Sequence, residues 1–87
     1  MKYRSRTEIV ASILEAANGG TTKTKIMYKA FLSYSQLKEY LSVLVENGLL
    51  EYSEAELRYR TSDKGKRFLD TYLQMGEMVS TDVSIKI

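Results

Sequence analysis

An α+β, mostly helical fold is predicted for this 87-residue chain by three observations. Apolar residues recur at helical spacing in four stretches, and each stretch opens on a serine or threonine placed to cap it. Before the last of them, Leu50-Glu51-Tyr52 and Leu57-Arg58-Tyr59 alternate with period two, the pattern of an antiparallel hairpin. Across residues 22–61 the order is therefore helix, tight turn, helix, strand, turn, strand, which is a helix-turn-helix followed by a two-stranded wing.

The first helix opens on a capping box, in which Ser5 accepts from the Glu8 amide and Glu8 reaches back to the amide of Ser5. Ile9, Ile13, Leu14 and Ala17 make its apolar stripe, and Asn18-Gly19-Gly20 ends it because glycine enters the left-handed region freely. Thr22 caps a second helix from Lys23 to about Phe31, with Ile26, Met27 and Ala30 inward. A short turn around Leu32 leads to a second capping box, Ser33 with Gln36. The third helix then runs to about Asn47 on the set Leu37, Tyr40, Leu41, Leu44 and Val45, and Gly48 stops it.

In the hairpin, a turn centred on Glu54 and Ala55 sets Tyr52 opposite Leu57, Leu50 opposite Tyr59 and Glu51 opposite Arg58. No glycine marks that turn, so a four-residue loop is expected rather than a tight primed turn. Thr61 or Ser62 caps a last helix from about Asp63 to Val79. Its stripe of Phe68, Tyr72, Met75 and Val79, widened by Leu69 and Leu73, is broader than packing on one small domain requires, so a homodimer interface is expected there. Asp82 to Ile87 alternate like a strand, either disordered or added to a neighbour's sheet edge. The expected division is a core over 1–62, a helix completing it over 63–79, and a tail over 80–87.

Composition excludes much. An apolar fraction of 44% with 28% charged residues belongs to an ordinary globular chain. With no cysteine and no histidine there is no disulfide framework, no Cys/His zinc site and no Ser-His-Asp triad. Gly19-Gly20 is followed by TTKTK and is no phosphate loop, and the carboxylates fall in no paired or metal-binding constellation. Neither an enzyme, a cofactor, a metal nor a small-molecule ligand is expected. No apolar run reaches a membrane span, and MKYRSR leads into no secretory segment, so a cytoplasmic protein associated with the nucleoid is expected.

The net charge of +2 conceals a lopsided distribution. Residues 1–38 carry Lys2, Arg4, Arg6, Lys23, Lys25, Lys29 and Lys38 against Glu8 and Glu15 alone, whereas the remainder is acidic. Such asymmetry points to an anionic partner. In a helix-turn-helix the second helix enters the major groove, its amino-terminal residues meeting base edges. The outward positions are Tyr34, Ser35, Lys38, Glu39 and Ser42. Lys38 can meet a guanine edge or a phosphate, Ser35 can bond to either, and Tyr34 offers a hydroxyl or a ring against a thymine methyl. Bidentate readers are scarce on this face, so modest sequence specificity is expected.

Two helices begin with cations where the macrodipole disfavours them, Lys23 and Lys25 in the second and Lys64, Lys66 and Arg67 in the last. Exposed amides beside them form a suitable phosphate seat, offset in part by Asp63 on the last helix, and the alternative is solvated lysines without a role. Arg58 and Arg60 share one face of the wing and can touch phosphate from its flank, while the acidic tip Ser53-Glu54-Ala55-Glu56 stays away. Tyr40, Tyr52, Tyr59 and Tyr72 fall on apolar stripes and are expected in the core or dimer interface; Tyr3, Tyr28 and Tyr34 are expected outside.

Four segments, R-S-R-T-E-I, T-K-I-M-Y-K-A, L-S-Y-S-Q-L-K-E-Y-L and T-S-D-K-G-K-R-F-L, carry a resemblance covering about residues 4–73. The chain resembles the small archaeal winged-helix regulators, some described as chromatin-associated DNA-binding proteins. That resemblance implies a winged helix-turn-helix, a dimer through an extended C-terminal helix, and double-stranded DNA as partner. It implies a DNA face on Lys23, Lys25, Tyr28, Tyr34, Ser35, Lys38 and the wing strand. The competing expectation is a protein–protein adaptor on the same scaffold, since fold alone does not fix function.

Overall fold

The computed structural model describes the backbone of residues 4–86 and the side chains of residues 4–75. In chain order it contains α1 (Arg6–Ala16), α2 (Lys23–Ala30), α3 (Tyr34–Glu46), β1 (Leu50–Ser53), β2 (Arg58–Thr61) and α4 (Asp63–Lys86). This is the α+β arrangement of a winged helix-turn-helix.

Local signals set the helix starts. Ser5 Oγ accepts from the Glu8 amide and Glu8 accepts from that of Ser5, a complete capping box on α1. Thr22 Oγ1 accepts from the Lys25 amide on α2, and the Ser33–Gln36 box closes on α3. Ser62 caps α4 by accepting from the Gly65 amide at 3.0 Å, while its own hydroxyl donates to the Gly48 carbonyl. The core forms where the helical stripes meet. Ile13, Leu14, Ile26, Leu37, Leu41, Leu44, Leu50 and Leu69 are buried, with Phe68, Tyr40, Tyr59 and Tyr72 packed half-buried against them.

Four findings depart from the sequence reading. First, α2 ends where expected, at Ala30 with Phe31 as its cap, but Phe31 takes a left-handed conformation (φ 54°, ψ 51°) that no local signal announced. Second, the wing register is displaced by two residues, pairing Leu50 with Thr61, Glu51 with Arg60, Tyr52 with Tyr59 and Ser53 with Arg58. The four-residue loop is present but spans 54–57, and Leu57, expected opposite Tyr52 on the buried face, turns outward at φ 55° and is 67% exposed. Tertiary bonds select this register. Thr61 Oγ1 donates to the Leu14 carbonyl at 2.6 Å, and Tyr59 exchanges two backbone hydrogen bonds with Thr21, each 2.8 Å. Thr21 thereby adds a single bridged residue to the other edge of β2.

Third, Val45 and Tyr52, both placed on apolar stripes, are exposed. Tyr52 instead packs on Tyr59, ring centroids 4.7 Å apart and tilted by 41°. Fourth, α4 does not end at Val79 but continues to Lys86, so residues 82–86, whose alternation read as a strand, are helical. Of the expected dimer stripe, Phe68 and Tyr72 lie half-buried on the core and Met75 is 59% exposed, while the side chain of Val79 lies outside the described residues. Lys2, Tyr3 and Ile87 also lie outside them.

Candidate nucleic-acid interface

The amino end of α3 gathers charge from two helices. Lys23 opens α2 and Tyr34 opens α3, and the Lys23 ammonium donates to the Tyr34 hydroxyl at 3.5 Å. The same ammonium lies 5.1 Å from the Tyr34 ring centroid. Lys38, one turn further along α3, stands over that ring at 5.6 Å. The quadrupole of the ring attracts both cations, so a single exposed tyrosine holds two ammonium groups that would otherwise repel each other. Neither α2 nor α3 carries an acid in its first turn, so the positive end of each macrodipole adds to the field of the lysines. An anion meets helix dipole, ammonium and phenol together at this place.

Ser35, Lys38 and Ser42 are exposed on α3 beside this cluster, as are Lys25 and Tyr28 on α2. Lys38 and Ser42 line an open groove of about 910 Å³ between α1 and α3, together with Arg6, Val10, Glu39 and Tyr40. Arg6 was not among the expected contact residues; its presence in the basic amino-terminal half was the only signal for it. Arg4, beside it in sequence, donates to the Phe31 carbonyl at 3.1 Å and so fastens the start of α1 to the turn between α2 and α3.

The wing arginines form a separate group. Arg58 and Arg60 line a hollow of about 180 Å³ with Gly19, Gly20, Glu51 and Glu56. Arg60 Nε reaches Glu51 Oε1 at 4.0 Å, with both side chains largely in solvent, so the pair contributes a few tenths of a kcal/mol at most. Arg60 is thus paired with a carboxylate, and Arg58 shares the hollow with Glu51 and Glu56. Of the cations expected to seat phosphate on α4, Lys64 is engaged elsewhere: it donates to the Asn47 carbonyl at 2.9 Å and satisfies the carboxyl end of α3.

Among the described residues, no three acids converge to hold a metal ion, and no helix is long and apolar enough to cross a membrane.

A short helix pair joined by a tight turn, a following hairpin, and a cationic amino end on the second helix of the pair define a helix-turn-helix of the winged type. The chain belongs to the winged helix-turn-helix family, whose profile matches residues 3–80. Its structure is similar to the crystal structure of Sso10a-2, a DNA-binding protein from Sulfolobus solfataricus, with a TM-score of 0.84 and 26% identity, covering 95% of this chain and 90% of that one. It is also similar to the uncharacterized protein MJ0287 of Methanocaldococcus jannaschii, 25% identical over 79 residues, 90% of this chain and 79% of the relative. The resemblance to small archaeal winged-helix proteins thus rests on both sequence and structure.

Proposed function

We propose that this protein binds double-stranded DNA as a homodimer, presenting the amino end of α3 to the major groove, and acts by occupancy as a transcriptional regulator or chromatin-associated factor of modest sequence specificity. The observation that carries the reading is the Lys23–Tyr34–Lys38 cluster at a helix start free of acids. Membership of a winged helix-turn-helix family and likeness to a DNA-binding protein support it. In this reading Lys23, Lys25 and Lys38 take phosphates; Tyr28, Tyr34, Ser35 and Ser42 complete the surface; and Arg58 and Arg60 touch the backbone from the wing flank. The dimer forms along α4 through Phe68, Tyr72, Met75 and Val79. No reaction is catalysed, and the site of action is the nucleoid in the cytoplasm.

The test is the salt dependence of duplex binding. Each phosphate neutralised adds about 0.9 to the slope of log affinity against log salt. Each substitution removes one contact from each protomer, so Lys25→Ala and Lys38→Ala should each lower the slope of the dimer–duplex complex by about twice that amount, measured by fluorescence anisotropy with a labelled duplex. Slopes equal to that of the unmodified protein would remove the assigned face. No binding to any duplex at about 50 mM salt would remove the DNA reading itself.

A further inference from the structure

Phe31 is the most exposed of the large apolar residues described, 82% open to solvent, and it holds that place in a backbone conformation that aromatic residues avoid. The two facts reinforce each other. A left-handed residue after a helix is usually glycine or asparagine, because a Cβ there crowds the neighbouring carbonyl. Phe31 accepts the strain while its ring contributes almost no buried surface.

The turn around it is built to hold that geometry. The Leu32 amide donates to the Met27 carbonyl at 3.1 Å and the Phe31 amide to the Tyr28 carbonyl at 3.3 Å, the two bonds of a Schellman turn. Leu32 is buried in the core and anchors the far side of the turn. Arg4 Nη2 then fixes the Phe31 carbonyl from α1. The backbone is thus held at three points while the ring stands in solvent.

Its surroundings state what it meets. Tyr28, 70% exposed, lies one turn back on α2, Lys29 is its near neighbour in sequence, and Arg4 is bonded to its own carbonyl. Tyr34 with its two lysines begins three residues later. An exposed apolar ring whose carbonyl is held by Arg4, on the turn leading into the helix that carries the cationic cluster, complements a surface that alternates anionic and apolar features. The edge of a DNA major groove is such a surface, with phosphates on its rim and thymine methyl groups along its floor.

We propose that Phe31 is an apolar DNA contact, displayed by the turn between α2 and α3 so that its ring packs on thymine methyl groups beside the phosphates held by the cationic cluster. This inference rests on the DNA-binding reading and adds to it a non-ionic contact that favours thymine-containing sites.

The decisive variant is Phe31→Gly, since glycine relieves the strained backbone while deleting the ring. Thermal denaturation should show a midpoint no lower than that of the unmodified protein, so lost binding cannot be blamed on misfolding. Anisotropy titrations with a thymine-rich duplex should show affinity about tenfold weaker, the effect of re-exposing one aromatic contact. The salt slope should be unchanged, because no charge is removed. A duplex with uracil in place of thymine should bind the unmodified protein more weakly and the variant no differently. Phe31→Leu, which keeps apolar surface, should recover most of the affinity. Equal affinity of Phe31→Gly and the unmodified protein overturns the inference, and so does indifference of the unmodified protein to thymine methyl groups. Loss of affinity accompanied by a halved molar mass in light scattering also overturns it, by assigning the ring to contact between copies. Failure of the unmodified protein to bind duplex at low salt removes the DNA reading beneath it, a result no Phe31 variant can mimic.

Discussion

Replacing Gly65 with alanine tests how tightly α4 is seated on the rest of the fold. A methyl group there overlaps the Leu49 carbonyl oxygen and comes within 2.7 Å of Thr61 Cγ2. Neither neighbour can yield cheaply. The Leu49 carbonyl accepts from the Ser62 amide at 3.1 Å, and the Thr61 side chain is fixed by its bond to the Leu14 carbonyl. Reaching ordinary contact distances means lifting the start of α4 by roughly 1 Å, which is ample to loosen the Ser62 bonds to Leu49 and Gly48. Overpacking of this kind costs about 1–3 kcal/mol, and weakening neutral hydrogen bonds about 1 kcal/mol more. Alanine returns up to about 1 kcal/mol through its better helix propensity. The net expectation is destabilisation by about 2 kcal/mol, which for a chain of this size lowers the Tm by about 8–16 °C. Thermal denaturation followed by far-UV circular dichroism, at equal protein concentrations because a dimer makes Tm concentration-dependent, measures it. A Tm equal to or above that of the unmodified protein would mean that α4 does not approach Leu49 this closely. The change falls at the carboxyl end of α3, so duplex binding by the folded fraction should be retained.

Two further outcomes are expected. Ser33→Ala removes the cap of α3 and should cost about 1 kcal/mol, read as a lower urea midpoint with unchanged m-value; it should also weaken duplex binding, because the first turn of α3 carries the cationic cluster. Met75→Glu places a charge on the exposed part of the α4 stripe and should convert a dimer to a 10.0 kDa monomer in light scattering, whereas a mass unaffected by the change would remove this stripe from the interface.

Features decided by neighbours in sequence were legible from it, and features decided across the fold were not. The Ser5–Glu8 and Ser33–Gln36 boxes are three-residue signals, and both close as the spacing implies. The wing shows the opposite case. Alternation with period two is satisfied equally by two registers that differ by two residues, and Glu51 finds an arginine in either. The choice falls to Thr61, buried against Leu14, and to Tyr59, bridged to Thr21. Both partners are too far away in sequence to enter any local pattern. At α4, the period-two alternation from Asp82 onward read as a strand-like tail after a helix ending about Val79, yet with no proline in the chain the helix continues to Lys86.

In the candidate site the sequence singled out residues one at a time, and their assembly was not legible in it. Lys23, Tyr34 and Lys38 each stand out on their own helix, and Lys38 lies one turn from Tyr34 by periodicity alone. What brings Lys23 to the same ring is the brevity of α2, eight residues or about 12 Å, followed by a turn that folds the chain back at once. That turn depends on Phe31 adopting a conformation its own preferences oppose, under constraint from Leu32 and Arg4. The unfavourable local choice and the favourable tertiary cluster are therefore one event. The left-handed elbow folds α3 back beside α2, and Lys23 thereby meets the phenol ring that Lys38 already reaches within α3. The wing arginines, set beside Glu51 and Glu56, have no such arrangement. Two cations thus gather at an acid-free helix start, a local positive cluster in a chain whose net charge is only +2.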